Sequence, residues 1–312
     1  HRGRARDLRA RPLVRGLPAM SCPLCGGSSE AAFTTSDRNR ALSRERFHYR
    51  RCLACESYFL ANVPADLSPY YPADYYGFPE VDVLDRAAAQ EAPKLELVTR
   101  HAASGRLVEV GPGPGSFARA ARKAGFEVTA IEMDAACCAY LETVAGVRAV
   151  HCDEPDRALA DLDEPADAIA MWHVVEHVPQ PWQLVDAAAS CLAPGGVLAI
   201  AMPSPQSLQF RLLRGRWAHV DAPRHLFLIP YAALWARARK AGLSAALVTT
   251  SDPAGRAWNQ FGWEYALRRF PARRAATVSK QRLAALIARG LGPLEHRGLS
   301  GATYTALFVK DR

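Results

Sequence analysis

The sequence predicts an α/β fold built on a mostly parallel β-sheet, with a small cysteine-containing module in front of it. Two observations carry this prediction. From about residue 105 onward, short apolar runs alternate with stretches of helical spacing, as parallel strands and their crossover helices do. Before that alternation, the chain contains two C-x-x-C pairs, which are typical of a small module held together by a metal ion.

The first βα unit carries a glycine-rich turn. Residues 107–110 form an apolar run that predicts a buried strand, and Gly-Pro-Gly-Pro-Gly follows at residues 111–115. Helical spacing begins at Ser116 and stops at Gly125, and a second apolar strand ends on Glu132. Such a unit has its ligand site at the carboxyl ends of the strands. The glycines let the backbone approach a ligand closely, and the acid can accept hydrogen bonds from ribose hydroxyls.

This turn resembles motif I of the class I S-adenosylmethionine-dependent methyltransferases, since Glu109 stands in the strand and two prolines stiffen a loop with no pyrophosphate to hold. The resemblance implies a Rossmann-like, seven-stranded methyltransferase sheet. It also implies that S-adenosylmethionine is the cofactor, with Met133 against the adenine and Asp153 near the adenine amine. The cofactor-binding residues implied by the resemblance are Glu109, Gly111, Gly113, Gly115, Glu132, Met133, Asp153 and His173.

Later segments resemble the same family. The apolar run at 168–172 leads into His173-Val-Val-Glu-His-Val-Pro, which is similar to the motif after strand four of methyltransferases. A helix, a Pro-Gly-Gly turn at 194–196 and a strand at 197–201 are a second marker of the family. The resemblance implies that residues 302–309 form the antiparallel strand that closes the sheet.

His173, Glu176 and His177 also suggest a metal site as an alternative. The H-E-x-x-H order of zinc peptidases is absent, however. We therefore expect His173 to line the reaction centre and His177 either to do the same or to cap or pack the following helix.

The string Asp221-Ala-Pro-Arg-His-Leu falls in a loop between strand five and the next helix. It resembles a string in bacterial small-molecule and glycan-tailoring methyltransferases that have an N-terminal cysteine ribbon. We predict that His225 is the catalytic base, with His173 as the second choice. Asp221 and Arg224 are further catalytic candidates, Arg224 as an anchor for an anionic substrate group. In the alternative, Asp221 and Arg224 form a structural pair that holds the loop.

The two C-x-x-C pairs predict a structural zinc site of the zinc-ribbon type. Each pair can form a knuckle whose thiolates face one ion, and four cysteines leave no open coordination position for catalysis. Disulfides or a redox motif are the alternatives, but a redox C-x-x-C needs no twin, and no signal-peptide pattern points to an oxidising compartment. The predicted ligands are Cys22, Cys25, Cys52 and Cys55, whereas Cys137, Cys138, Cys152 and Cys191 lack metal spacing.

The net charge of +8 is concentrated in two segments. Residues 1–19 carry six arginines against one aspartate, and residues 255–299 carry nine basic residues against two glutamates. The rest of the chain is mildly acidic, which argues against a broad nucleic-acid-binding face. No run of eighteen apolar residues is present, so we expect a cytoplasmic protein without a membrane span. We interpret the basic segment as a solvated face, with an anion- or membrane-binding surface as the alternative.

The predicted organisation has four parts. It comprises a disordered basic arm or upstream sequence at 1–19, a zinc ribbon at 20–66, a tyrosine-rich linker with an N-terminal helix at 67–104, and a methyltransferase domain at 105–312. The last part is expected to include a substrate lid around 203–229 and a helical insertion around 255–297.

The predicted function is methyl transfer from S-adenosylmethionine to a small-molecule, natural-product or glycan acceptor, with oxygen as the preferred acceptor atom. An RNA methyltransferase is one alternative, but the N-P-P-[YF] motif is missing where His173 stands. A nicotinamide-dependent oxidoreductase is another, but Ser116 occupies the place of the third glycine of G-x-G-x-x-G. A non-enzymatic interaction protein would not need the intact cofactor motif.

Overall fold

The computed structural model describes residues 20–268 and 277–311, so the predicted basic arm at residues 1–19 lies outside the described residues. The strands in chain order are β1 (Ser29–Thr35), β2 (Phe47–Cys52), β3 (Tyr58–Leu60), β4 (Gly105–Val110), β5 (Phe126–Glu132), β6 (Arg148–His151), β7 (Ala166–Trp172), β8 (Leu192–Pro203), β9 (Phe227–Leu228), β10 (Leu243–Thr249) and β11 (Thr303–Lys310).

The helices lie between these strands in the order that an α/β fold requires. They are α1 (Val81–Gln90), α2 (Ala92–Thr99), α3 (Ser116–Lys123), α4 (Ala135–Tyr140), α5 (Pro155–Ala160), α6 (Pro181–Cys191), α7 (Leu208–Leu213), α8 (Tyr231–Lys240), α9 (Pro253–Arg268) and α10 (Thr277–Glu295). A single π-helical turn, Leu141–Ala145, follows α4. None of the helices in the described part of the chain has the length and apolar composition needed to cross a bilayer.

The larger sheet has seven strands in the order β10-β11-β8-β7-β4-β5-β6. Strands β4 to β8 within it are parallel to one another, and β11 lies antiparallel between β8 and β10. The predicted α/β class with a seven-stranded, Rossmann-like sheet is therefore confirmed. One local detail differs from the expectation. The Pro-Gly-Gly turn lies inside the bounds of β8, where the register with β7 shifts between Ala166 and Ala168.

Apolar side chains cover both faces of this sheet. One face packs against residues such as Leu84 of α1 and Phe117 of α3. The other packs against α5, α6 and α8 through residues such as Leu184 and Leu234. Because both faces are covered, most residues of the central strands are apolar, with exceptions such as Arg106 and Glu109 of β4 and Asp167 of β7. The carboxyl ends of β4, β5 and β7 meet at one edge because these strands are parallel.

The N-terminal module shares its sheet with the methyltransferase-like part of the chain. Strand β9 comes from the loop after β8, yet it pairs with β3, so that Phe59 lies opposite Phe227. The buried side chains of the module, including Phe33 and Tyr49, are continuous with the apolar cluster on one face of the large sheet. The indole of Trp182 in α6 also donates a hydrogen bond to the Leu24 carbonyl at 2.8 Å. The module is therefore packed into the fold along its length.

A buried ionic network joins the two parts. The Arg224 side chain is 1% exposed and lies 2.8 Å from Asp37 of the module and 2.7 Å from Asp221. It also donates to the Tyr70 carbonyl at 3.4 Å. Asn39 of the module donates to Asp221 at 2.5 Å. Although burial opposes ionisation, the hydrogen bonds from Arg224 hold the pKa of Asp221 below its usual value.

We expect this network to be a main determinant of stability. Arg224→Met should lower the free energy of unfolding by about 3–5 kcal/mol, because it leaves the Asp37 carboxylate buried without its cation. Urea denaturation would measure the loss. The matched control is Arg86→Met, which removes an exposed ion pair with Asp82 and should change stability by less than about 1 kcal/mol. An equal free energy of unfolding for Arg224→Met and Arg86→Met would contradict this role for Arg224.

Candidate functional site

The glycine turn after β4 passes very close to neighbouring side chains. Gly111 and Gly113 have φ values of +64° and +55°, in the left-handed region that glycine adopts without steric cost. A Cβ atom on Gly111 would lie 2.8 Å from the Val174 side chain, and one on Gly113 would lie 2.9 Å from the Tyr76 ring. The turn therefore requires glycine at both positions. Gly111 is exposed, whereas Gly113 and Gly115 are buried.

Glu132 at the end of β5 is tied to the same turn. Its carboxylate accepts hydrogen bonds from the backbone N–H groups of Gly113 at 3.0 Å, Met133 at 2.8 Å and Asp134 at 3.0 Å. A carboxylate offers about four acceptor positions, so one remains for a ligand hydroxyl. Burial raises the pKa of Glu132, and these three backbone donors oppose the rise.

Glu109 lies beneath the turn and is 3% exposed. Its Oε2 atom has no hydrogen-bond partner. Burial raises the pKa of this carboxyl to about 8, and the charge of Lys94 partly offsets that rise. A buried carboxyl with an unpartnered oxygen needs a donor to compensate for its desolvation. A ligand with a cationic amine would supply that donor.

The remaining predicted cofactor residues lie around this cradle. Met133 directly follows Glu132 and is 61% exposed, so its side chain is free to pack on a ligand. Asp153 is exposed beyond the end of β6. Gly115 has a φ of +79° and stands just before α3. These residues therefore lie near the same ends of the strands as Glu109 and Glu132.

His173 follows β7 directly and has a left-handed backbone, with φ of +60°. For a residue with a Cβ this conformation costs about 1–2 kcal/mol. The His173 N–H donates to the Ala201 carbonyl at 2.9 Å, which ties the turn to β8. Its Nδ1 lies 3.3 Å from the Glu176 carboxylate, and its ring lies edge-on to Trp258 of α9 at 5.2 Å. Burial and the charge of Lys94 lower the pKa of His173 to about 3, so the ring is neutral.

The structure brings His225 next to this loop. The rings of His177 and His225 lie 4.6 Å apart, and one ligand atom from each lies within 4.8 Å of a carboxylate oxygen of Glu176. Burial lowers the pKa of His177 to about 4 and also lowers that of His225. His173 and His225 thus both lie close to the Glu176 carboxylate.

Asp221 and Arg224 follow the structural alternative instead of the catalytic one. All the charged contacts of the Arg224 guanidinium are made within the network with Asp37 and Asp221 described above. Its buried donors are therefore engaged within the protein, which favours the structural role over that of an anchor for an anionic substrate group. We accordingly leave both residues out of the proposed catalytic set.

The four cysteines of the C-x-x-C pairs converge at one point. Sγ atoms of Cys22 and Cys55 lie 3.8 Å apart, and those of Cys25 and Cys52 lie 3.4 Å apart. A tetrahedral zinc–thiolate site with bonds of about 2.3 Å places its sulfurs about 3.8 Å apart, so the cluster matches that geometry. The backbone N–H groups of Ala54 and Cys55 each lie 3.4 Å from the Cys52 sulfur, as in a metal-binding knuckle.

Several contacts of the site lacked a sequence signal. The Tyr71 hydroxyl lies 3.1 Å from His177 Nδ1, and the Tyr76 ring packs against Gly113. The tyrosine-rich linker predicted at 67–104 did not show which of its aromatic residues would reach the site. Trp258 and Asp37 had no distinguishing pattern at all, because their contacts are made with residues far away in the chain.

Comparisons with known proteins agree with this geometry. A family model described as a methyltransferase domain matches residues 84–248, more than half of the chain. A ubiquinone biosynthesis O-methyltransferase from Alkalilimnicola ehrlichii is 33% identical over 118 residues, which are 35% of this chain and 46% of that protein. A protein of the same name from Xylella fastidiosa is 35% identical over 100 residues, which are 31% of this chain and 41% of that protein. The chain thus spans less than half the length of these relatives.

A solved structure supports the fold. The crystal structure of a SAM dependent methyltransferase from Archaeoglobus fulgidus matches this chain with a TM-score of 0.50 and 16% sequence identity. The match covers 73% of this chain and 94% of that one. At this level of identity the similarity concerns the fold alone.

Proposed function

The chain belongs to the methyltransferase-domain family and has the class I fold of S-adenosylmethionine-dependent enzymes, and from this premise we propose that it methylates an oxygen atom of a small-molecule or glycan acceptor. The observation that carries the proposal is the juxtaposition of two features at one sheet edge. The cradle of Glu109, the glycine turn and Glu132 lies beside a group of neutral imidazoles around Glu176. The O-methyltransferase relatives support oxygen as the acceptor atom.

We assign S-adenosylmethionine to the cradle. Glu109 would receive the ammonium of the aminoacyl end, because its Oε2 lacks a partner. Glu132 would accept from the ribose through its remaining lone pair, while Met133 packs on the adenine and Asp153 lies near the adenine amine. Gly111, Gly113 and Gly115 supply the left-handed backbone that gives the turn its shape beside the cofactor. When bound, the cofactor supplies an electrophilic methyl sulfonium.

The protein's task is then to position an acceptor hydroxyl and to remove its proton. His173 and His225 are the two candidate bases. His225 is buried, with only 8% of the residue exposed. The His173 side chain is 22% exposed and adjoins the glycine turn through Val174. We therefore propose His173 as the base, with Glu176 orienting its ring.

We also propose that Cys22, Cys25, Cys52 and Cys55 hold one structural zinc ion. The ion would organise the two knuckles from which β1 to β3 extend. Since β3 pairs with β9, directly after His225 and Leu226, the ion would also stabilise the loop that carries His225. With four thiolate ligands it has no open position, so its contribution is to folding and not to chemistry.

The cofactor assignment predicts a loss of affinity in one variant. Glu132→Ala should weaken the binding of S-adenosylhomocysteine by about 1.5–3 kcal/mol, because a charge-assisted hydrogen bond to the ribose is removed. Isothermal titration calorimetry would measure it, with the exposed Glu142→Ala as the control. Binding as tight as that of the wild type would show that the ribose is held elsewhere.

The zinc assignment predicts one zinc per chain in the cysteine cluster. Cys52→Ser should release that ion and lower the Tm, because the binding free energy of a structural metal ion contributes to folding of the module and of the core that it shares with the large sheet. Metal analysis and thermal melting would follow the two effects. Cys191→Ser, outside the cluster, should leave both unchanged. Full zinc retention in a Cys52→Ser/Cys55→Ser double variant would refute the assignment.

The catalytic assignment predicts a large loss of turnover. The protein is incubated with S-adenosylmethionine that carries a labelled methyl group and with a panel of phenols, sugars and RNA. We expect the label to appear as a methyl ether of a small acceptor. His173→Gln should then lower kcat by about 10²–10⁴-fold, since a positioned base is lost, while S-adenosylhomocysteine affinity changes little. His101→Gln, exposed and beyond α2, is the control. Unchanged turnover in His173→Gln would exclude it as the base, and labelled RNA would contradict the acceptor class.

A further inference from the structure

Three potential metal ligands from two distant segments meet behind the proposed base. Glu176 and His177 come from the turn after β7, and His225 comes from the loop before β9. One ligand atom from each lies within 4.8 Å of the others. These distances are compatible with three ligands around one ion after small side-chain adjustments, because two donors at about 2.0–2.2 Å from a metal are themselves 3–4 Å apart.

The Nδ1 atoms of His177 and His225 already have hydrogen-bond partners. His225 Nδ1 lies 2.8 Å from the His219 carbonyl, so it carries the proton and leaves Nε2 with a free lone pair. His177 Nδ1 lies 3.1 Å from the Tyr71 hydroxyl, which leaves Nε2 as the second free nitrogen. Histidines that bind metals are typically oriented in this way. The ring nitrogen that does not bind the metal forms a hydrogen bond with a carbonyl or another polar group.

The carboxylate completes the set. The Glu176 side chain is 0% exposed, and its Oε1 is 3.3 Å from His173 Nδ1. Its Oε2 is buried without a hydrogen-bond partner. An unpartnered carboxylate oxygen at this depth is costly in free energy unless a cation or a donor compensates for it. No such donor approaches it within the part of the chain that the structure describes.

We propose that Glu176, His177 and His225 bind one divalent first-row transition-metal ion, with zinc as the best match to the donor set. Two imidazoles and one carboxylate are a recurring set of protein ligands for zinc and for non-haem iron. Three protein ligands leave at least one coordination position open. This site is separate from the cysteine cluster, which has four ligands of its own.

The open coordination position would allow the ion to bind a further oxygen ligand. A water molecule or an acceptor oxygen would be able to coordinate there, close to His173, whose Nδ1 contacts the Glu176 ligand. A coordinated hydroxyl is more acidic than a free one. Binding of the ion depends only on the three ligands, however, so it can be tested apart from the proposed methyl transfer.

Cobalt(II) is a suitable probe, because it distinguishes sulfur from nitrogen and oxygen ligands by its absorption spectrum. Protein with zinc in the cysteine cluster should take up one equivalent of Co²⁺ and show visible d–d bands without sulfur-to-cobalt charge transfer. His225→Ala and Glu176→Gln should each weaken that uptake by more than about 100-fold. Tyr71→Phe, which removes only the partner of His177, should weaken it by about 10–100-fold. His101→Gln should bind as the wild type does.

Thermal melting provides a second readout that needs no activity. Added Zn²⁺ should raise the Tm of the wild type, since a ligand that binds only the folded state stabilises it, and it should not raise the Tm of Glu176→Gln. That variant preserves the shape and the contact with His173, so it remains informative if His225→Ala does not fold. Failure of the wild type to bind Co²⁺ outside the cysteines would overturn the proposal. Uptake by Glu176→Gln equal to that of the wild type would overturn it as well.

Discussion

The buried charge of Arg224 determines how the two parts of this chain fit together. A guanidinium that is 1% exposed is stable only when its N–H donors have acceptors. Here the acceptors come from both parts of the chain. Asp37 comes from the N-terminal module, while Asp221 and the Tyr70 carbonyl come from the segments that surround the site. Because removal of either side would leave a buried group unpaired, the module and the loop have to be in place together.

This constraint extends to the imidazoles. Tyr49 of β2 is fully buried and donates its hydroxyl to the His225 carbonyl at 2.5 Å. The next residue, Leu226, accepts from the Leu60 N–H at 2.9 Å and so begins the pairing of β3 with β9. The backbone on both sides of His225 is thus held by the cysteine module. The module is therefore part of the wall of the site, and disorder in its knuckles would displace the His225 ring.

Local patterns explain why much of the fold could be predicted from the sequence. Each βα unit is formed by residues that are close in the chain, so the apolar runs, the glycine turn and Glu132 indicated β4, α3 and β5 directly. The cysteine knuckles were equally local. By contrast, β9 has two residues and pairs with a strand about 170 positions earlier. Neither its length nor its composition distinguishes it from a loop, because its pairing is determined by tertiary contacts.

The difference between local patterns and long-range contacts also explains which parts of the site could be predicted. The sequence placed Glu109, Glu132 and His173 at strand ends, where the geometry of a parallel sheet brings them together. It could not decide between a catalytic and a structural Arg224, since the decision depends on Asp37, which lies in an ordinary polar turn. It also could not place His225 beside His177. That contact requires the segment after β8 to reach the turn after β7, where the N–H groups of Leu226 and Phe227 donate to the Glu176 carbonyl. The module packs against the same segment through the pairing of β3 with β9.

The electrostatics of the two halves of the site are complementary in a way that favours the proposed chemistry. On the cofactor side, burial raises the pKa values of Glu109 and Glu132, so both carboxyls favour a ligand that brings positive charge. On the acceptor side, burial lowers the pKa values of His173, His177 and His225, so the imidazoles are neutral at physiological pH. Binding of a cationic sulfonium cofactor would therefore favour the ionised form of these carboxyls, and the neutral rings would not repel it. Neutral rings also keep the lone pairs that a proton acceptor or a metal ligand requires, which a protonated histidine would have lost.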